Sequence, residues 1–206
     1  MKRLLAKIGL IVLVSVFFQQ QALAADSAPE QLIKQTADEV LSAIKARADE
    51  FKQDPAKLFE MVDEKVLLHF DFDRMTNLAL GRYKARVDKQ QKPQLVNEFR
   101  QLLVRTYGKA LLEYNDQVIK YLPMRGSVDK GEVTIRTEIE QKGGFPIPLN
   151  YELYRQDGGS WKVYDISVDG ISLVTNYRSS FARQIKEEGV EGLIKSLQDR
   201  NKQENS

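Results

Sequence analysis

Cysteine is absent from the 206 residues of this chain, and histidine occurs once. The lack of cysteine excludes disulfides, thiolate nucleophiles, cysteine metal sites and lipid attachment to a new N-terminal thiol. The single histidine, His69, leaves no partner for a His-rich metal site or for a hydrolase triad of the usual kind. The apolar run at residues 8–18 is only about half as long as the roughly 20 helical residues that span a bilayer. A retained membrane anchor is therefore not expected.

The N-terminus has the three parts of a secretory signal. A basic start containing Lys2 and Arg3 precedes the apolar run, and the small-residue cleavage site Ala22-Leu23-Ala24 follows it. We expect residues 1–24 to be a signal peptide cleaved after Ala24. The mature chain would begin at Ala25 and act in a bacterial periplasm, where the absence of cysteine suits the oxidising environment.

The charge of the chain argues against nucleic acid as a partner. The formal net charge is +2, and the leader holds three basic residues and no acidic one, which leaves a mature chain near −1. A near-neutral chain without a long stripe of Lys and Arg has no electrostatic footprint for a phosphate backbone. Residues 25–198 are predicted to form one domain, with a polar frayed tail at 199–206.

Helices are predicted in the first half of the domain. Ser27 and Glu30 have the spacing of a capping box, and apolar residues then recur at helical spacing. Further helix starts are predicted at Asp54-Pro55, at Asp71 or Asp73 with an end near Gly81, and at Lys92. The helix from Lys92 to Asn115 has an apolar arc covering about half of its circumference. Such an arc indicates either a central helix with several neighbours or a helix that lines a cavity on one flank.

Strands are predicted after Asn115, where the apolar period changes from 3.6 to 2. Their turn signals favour antiparallel hairpins, and helix is predicted to return after Asn176 with a break around Gly189. In the last strand, Trp161 and Val163 are predicted to face one side and Tyr164, Ile166 and Val168 the other. The expected strands are 118–122, 132–141, 147–155 and 161–168. The pattern predicts an α+β single domain, in which a curved antiparallel sheet of about four to five strands packs with N-terminal, central and C-terminal helices around an apolar pocket.

Little in the sequence indicates catalysis. His69 is expected to have a packing or capping role at a helix end. Asp165 and Asp169 lie four residues apart on a predicted strand, which separates them by about 13 Å, too far for a typical carboxylate pair. Asp165 is instead expected to accept hydrogen bonds from nearby backbone or tyrosine groups. The chain is therefore predicted not to be an enzyme and to hold no metal.

The segment from Tyr164 to Arg178, YDISVDGISLVTNYR, closely resembles the signature of the MlaC family, also called toluene-tolerance auxiliary proteins. Phe70–Met75 and Leu80–Tyr83 resemble the short-helix segment of that family, and Phe99–Gly108 resembles its long central helix. The similarity covers nearly all of the mature chain. Lys84 departs from the pattern, since many relatives have an aromatic residue there.

The resemblance implies a periplasmic shuttle that holds phospholipid acyl chains in a pocket between sheet and helices. Its implied partners are an inner-membrane ABC transporter with an MCE-domain ring and an outer-membrane lipoprotein complex. It implies no cofactor other than bound phospholipid as cargo, with only transient contact with membrane surfaces. Transport between the two membranes would maintain the lipid asymmetry of the outer membrane.

We predict that aromatic and aliphatic side chains from the central helix, the sheet and the signature segment line this pocket, with plain core packing as the alternative for each. Asp169-Gly170 is expected to form the turn after the last long strand. The sequence leaves two other functions open: a small-pocket enzyme of the isomerase or dehydratase kind, and a lipid-free adaptor. The predicted lipid-binding residues are Leu103, Tyr107, Leu111, Tyr151, Leu153, Val168, Ile171, Leu173 and Val174.

Overall fold

The computed structural model of the protein describes residues 28–108, 111, 113, 117–141 and 143–203. The predicted leader, its cleavage site and Ser27 lie outside these residues. Short 3₁₀ helices occupy Leu67–His69 and Gly81–Arg86. The α-helices are α1 (Ala28–Gln53), α2 (Pro55–Lys65), α3 (Phe72–Leu80), α4 (Gln91–Gly108) and α5 (Leu173–Gln203). Within these described helices, none has both the length and the apolar character that a membrane crossing requires.

Aspartates begin three of these helices, as expected for side chains that accept hydrogen bonds from free amides of a first turn. Asp54 accepts from the Ala56 amide at 3.1 Å and precedes Pro55 at the first helical position of α2. Asp71 accepts from the Arg74 amide at 2.8 Å and begins α3. Asp88 accepts from the amides of residues 90 and 91 at the start of α4. The predicted start of α2 agrees with these contacts, and of the two starts predicted for α3 the structure has Asp71.

One helix end differs from the prediction, and another lies outside the described residues. The α4 helix is described as far as Gly108, whose backbone packs against the ring of Phe59, and its predicted end at Asn115 falls among residues that the structure does not describe. The α5 helix continues to Gln203, beyond the predicted start of a frayed tail at residue 199. Asn201 is buried there and donates to the Glu98 carbonyl and carboxylate at 3.0 and 2.8 Å, which fixes this last turn to α4. The predicted break in α5 is present at Gly189, whose φ of +75° belongs to the left-handed region.

The sheet is an antiparallel meander in which sequence neighbours pair in order from β1 to β5. The second, third and fourth strands agree closely with the predicted ranges, and the first extends further than predicted. Asp169 and Gly170, with φ of 50° and 78°, form the predicted turn between the last two strands. The strands are β1 (Ile119–Ser127), β2 (Glu132–Ile139), β3 (Ile147–Arg155), β4 (Trp161–Val168) and β5 (Ile171–Ser172). The architecture is the predicted α+β domain.

Buried apolar side chains in the described part of the chain form three clusters. The helical cluster joins α3, α4 and α5 around Phe99, whose ring centroid lies 5.1 Å from those of both Tyr177 and Phe181. The sheet cluster contains Ile33 of α1 and five residues of β2, β3 and β4. The α1–α2 cluster lies around Phe51 and Leu58. Phe70 and Ile166 pack against both the helical and the sheet cluster, so these two side chains connect the core of the helices to that of the sheet.

Candidate functional site

The inner face of the sheet carries rows of apolar side chains that grade from buried to exposed along the strands. In one row, Val133, Leu153 and Val163 pair across three strands and are each at most 3% exposed. In the next row, Ile135 is 2% exposed, whereas Tyr151 and Ile166 are half-buried. We call the end that contains Val133, Leu153 and Val163 the closed end of the sheet.

The other end of the same face is more accessible. The pairs Leu149–Val168 and Ile139–Ile147 are half-buried. Val118 precedes β1 and Phe145 precedes β3, with exposed fractions of 58% and 93%. We call this end, marked by Ile119, Ile139, Ile147 and Val168, the open end. Together the half-buried residues form an apolar wall that protein atoms cover only in part.

A bulge in β4 changes the predicted facing of its side chains. Leu153 pairs with Val163 and Glu152 with Asp165, so Tyr164 is an additional residue on the β4 side. Since one inserted residue reverses the alternation of side chains, Val163, Ile166 and Val168 all lie on the inner face. The prediction that Ile166 and Val168 face the side opposite Val163 was wrong for this reason.

Tyr151 lies deep on the apolar wall. Burial raises the pKa of its phenol, and the neighbouring Tyr121 raises it further. Its side chain nevertheless keeps some accessible surface, and its hydroxyl has no hydrogen-bond partner among the described residues. Burial also raises the pKa of Tyr121, to about 12, with a contribution from Asp38. Tyr151 therefore lies deep in the domain without being fully covered by protein atoms.

The predicted lipid-binding residues fall into three groups. Leu103, Leu153, Leu173 and Val174 are each at most 7% exposed and belong to the helical and sheet clusters, so protein atoms cover them. Tyr107 and Ile171 are exposed by 38% and 62%. The half-buried members are Leu111, which packs against the α1–α2 cluster, Tyr151 and Val168.

Other wall residues were missing from the sequence prediction. Leu149 was not named for the pocket, and Ile166 was assigned to the wrong face. The available signal was the alternation along β3, which puts Leu149 and Tyr151 side by side. The wall residues that the pairing register adds are Tyr121, Ile139, Ile147, Leu149 and Ile166. Thr137 lies on the same face but is buried, and its hydroxyl donates to the Leu149 carbonyl at 2.6 Å.

A polar clamp fixes α3 to the closed end of the sheet. Phe70 pairs with Val163, and the next amide, of Asp71, donates to the Val163 carbonyl at 2.9 Å. The Asp71 carboxylate also accepts from the Tyr154 hydroxyl. We define the clamp as Asp71, Arg74, Tyr154 and Tyr164.

Arg74 completes the clamp through its guanidinium, which lies 4.0 Å and 4.1 Å from the ring centroids of Tyr154 and Tyr164. It also donates to the Glu132 carboxylate at 3.0 Å. Stacking of a guanidinium on aromatic rings is favourable by roughly 0.5–2 kcal/mol for each contact. The clamp therefore fixes α3 to the closed end of the sheet through stacking, an ion pair and hydrogen bonds.

Asp165 joins β4 to the start of α5. One carboxylate oxygen accepts from the amides of Ile166 and Val174 at 2.8 and 3.1 Å, and the other accepts from the Ser172 hydroxyl. Ser172 in turn accepts from the Thr175 amide at 3.0 Å. These bonds satisfy free amides of the first turn of α5. Asp165 thus has the predicted backbone-binding role, and the signature segment that contains it is a connection between sheet and helix.

His69 ends the 3₁₀ helix before α3, and burial, together with the charge of Lys162, lowers its pKa. Its ordinary pKa of about 6.5 governs the unfolded chain, so the unfolded state takes up a proton first as the pH falls. The contribution of His69 to stability is therefore complete above about pH 6.5 and lost as the pH falls through the lower pKa of the folded state.

We expect His69→Gln to flatten the dependence of the melting temperature on pH between about 7.5 and 5. The expected effect is less than about 1 kcal/mol because the ring is partly accessible and screened. Thermal melts of both proteins across this range measure it. An equally steep decline in the variant would show that other groups cause the acid sensitivity.

The chain matches the family model described as MlaC protein over residues 34–199. It is 27% identical over 191 residues to the intermembrane phospholipid transport system binding protein MlaC of Haemophilus influenzae, covering 92% of this chain and 89% of that protein. It is 26% identical over 182 residues to the toluene tolerance protein ttg2D of Pseudomonas putida, covering 88% of this chain and 83% of that protein.

The fold is also similar to that of a solved structure, a phospholipid-binding protein from Ralstonia solanacearum in complex with a phospholipid. The TM-score is 0.78 and the sequence identity 35%, with 85% of this chain and 97% of that chain covered. A match of this extent includes both the sheet that carries the apolar wall and the helices that face it.

Proposed function

The chain belongs to the MlaC family, and we propose that it is a periplasmic phospholipid carrier. It takes acyl chains onto the apolar wall and moves lipid between an outer-membrane lipoprotein complex and an inner-membrane ABC transporter with MCE domains. The observation that carries this proposal is the graded inner face of the sheet, in a fold that a phospholipid-bound relative shares. The half-buried residues, including Tyr151, Leu149 and Val168, would contact the chains, with Ile171 at the rim.

A carrier is needed because phospholipid monomers do not cross water at a useful rate. At about 0.8 kcal/mol per methylene, two acyl chains with about 30 methylenes cost on the order of 20 kcal/mol to expose. When the half-buried wall receives such chains, the acyl chains leave water and the accessible surface of the wall is covered. Both changes bury apolar surface, which is favourable. A pocket enzyme would need an acid or base on this wall, but the carboxylate of Asp165 is engaged in starting α5.

Lipid analysis of the purified protein tests this function. Extraction into organic solvent followed by mass spectrometry should recover phospholipid in stoichiometric amount. A lipid-free protein that is folded and monodisperse would instead support the adaptor function. Turnover of a small hydrophobic substrate at the wall would support the enzyme.

We expect the acyl chains to drive binding, so that phosphatidylethanolamine and phosphatidylglycerol of matched chain length load to similar extents at low and high salt. The wall residues are apolar or tyrosine, and a headgroup clamp of Arg or Lys would be screened by ionic strength. Lysolipid, with half of the apolar surface, should be retained much less well. Competitive loading from mixed vesicles, read by mass spectrometry, measures this. A strong headgroup preference that disappears at high salt would contradict chain-driven binding.

We propose that the mature protein begins at Ala25, because the cleavage site Ala22-Leu23-Ala24 follows the basic and apolar parts of the leader. The cellular protein should be released by osmotic shock. Mass-spectrometric sequencing of its N-terminus checks the position. Recovery of a cellular protein that still begins at Met1 would overturn the cleavage.

A further inference from the structure

A groove of about 750 Å³ runs between α3, the 3₁₀ helix at Gly81–Arg86 and α4, on a surface separate from the apolar wall of the sheet. On α4 it is formed by residues spaced three to four apart, which share one side of a helix. Val87, Pro93 and Val96 give it an apolar lining. Its other lining residues include Asp73, Lys84, Asp88, Lys89, Asn97 and Arg100.

Contacts within the chain already satisfy the acidic groups of this groove. Asp73 pairs with Lys92 at 3.2 Å. Asp88 accepts two amide hydrogen bonds at the start of α4. One lining cation, Arg100, is likewise paired, with Asp63 outside the groove.

Two basic groups of the groove are left uncompensated. Lys84 and Lys89 are exposed, and neither amine has an ion-pair partner in the described ranges of the chain. Arg82 and Arg86 extend the positive charge beside them, their guanidinium carbons lying 5.0 and 5.1 Å from the ring centroid of the buried Tyr83. This surface is basic in a mature chain whose formal charge is near −1.

We propose that this groove binds an acidic segment of a partner protein, with an apolar side chain against Val87 and Val96 and carboxylates near Lys84 and Lys89. The charge pattern selects an acidic partner, since complementary potentials direct protein association. The concave shape selects a protruding polypeptide segment over a bilayer surface, which is flat on this scale. The inference extends the proposed function by giving the carrier a docking site that leaves the lipid wall uncovered.

Site-specific crosslinking in the native cell tests the groove. The photoreactive amino acid p-benzoylphenylalanine is placed at the exposed Asn97, and the crosslinked peptide is identified by mass spectrometry. We expect a cell-envelope protein, joined through a peptide with more acidic than basic residues. The double variant Lys84→Glu and Lys89→Glu should lower the adduct yield about tenfold or more, as expected when two charges of a complementary interface are reversed.

The matched control reverses two exposed lysines elsewhere, Lys130→Glu and Lys195→Glu, and should keep the adduct. Replacing the acidic residues of the crosslinked segment by lysine should restore the adduct with the Lys84 and Lys89 variant. A crosslink to lipid, a segment without net negative charge, a yield insensitive to the Lys84 and Lys89 reversal, or no adduct would each overturn the proposal.

Lipid content separates this inference from the function on which it builds. Both double variants should purify with as much phospholipid as the unsubstituted protein, because the groove and the wall are different surfaces. If the unsubstituted protein carries no phospholipid, the carrier function fails while the docking result stands on its own. If lipid is present but the crosslinking results differ from those expected, only the proposed docking site in the groove is rejected.

Discussion

Replacing Val168 by tryptophan is expected to remove most of the phospholipid that co-purifies with the protein while leaving it folded. Val168 is half-buried on the inner face beside Leu149, at the open end. An indole there would occupy the space proposed for an acyl chain. The lipid-to-protein ratio after extraction, with a thermal melt of the same sample, measures both effects.

The neighbouring variant Ser167→Trp is the matched control. Ser167 lies on the outer face, where its hydroxyl accepts from the side-chain amide of Asn150 at 3.2 Å. This substitution adds an indole to the same strand without entering the inner space, so bound lipid should not change. If Val168 is ordinary core, overpacking would instead cost about 1–3 kcal/mol of stability. A marked fall in melting temperature with full lipid content would therefore reject Val168 as part of the wall.

Replacing Phe99 by alanine is expected to cause the opposite pattern, a large loss of stability from a site that does not contact lipid. Phe99 is fully buried and packs edge-on against both Tyr177 and Phe181. Phenylalanine-to-alanine changes in cores cost about 3–5 kcal/mol, which for a domain of this size lowers the melting temperature by on the order of 10 °C. Calorimetry or a circular dichroism melt gives the value.

Phe99→Leu keeps most of the buried volume and should lose considerably less stability than the alanine variant. Both variants should keep a normal lipid-to-protein ratio in the fraction that is folded. A destabilisation of less than about 1 kcal/mol in Phe99→Ala would show that the helical cluster collapses around the gap. A selective loss of lipid from well-folded Phe99→Ala would extend the binding site into the helical cluster.

The helices and strands were largely predictable because their signals are local. The Asp54 carboxylate accepts from the amide of Ala56, two residues further along the chain, and this contact marks a helix start. Asp169 and Gly170 themselves adopt positive φ angles, which mark a turn. The end of α5 was not predictable in this way. Its last turn is held by Asn201, whose partner Glu98 lies 103 positions away in the sequence.

The candidate site was less predictable, because the register between strands decides which face of the sheet a side chain lies on and how deeply it is buried. Alternation along β4 indicated opposite faces for Val163 and Ile166, and only the pairing of Glu152 with Asp165 reveals the inserted Tyr164. Hydrophobicity selected Leu153 and Val174 as readily as Tyr151, although protein atoms cover the first two. An apolar residue of a cavity wall and one of a core have the same local pattern, and tertiary packing alone distinguishes them.

The clamp of Asp71, Arg74, Tyr154 and Tyr164 lies beside a backbone hydrogen bond, from the Asp71 amide to the Val163 carbonyl. An amide bonded in this way exchanges its hydrogen with solvent only when the structure around it opens. The exchange rate of the Asp71 amide therefore reports how often α3 separates from β4, without a label or a substitution.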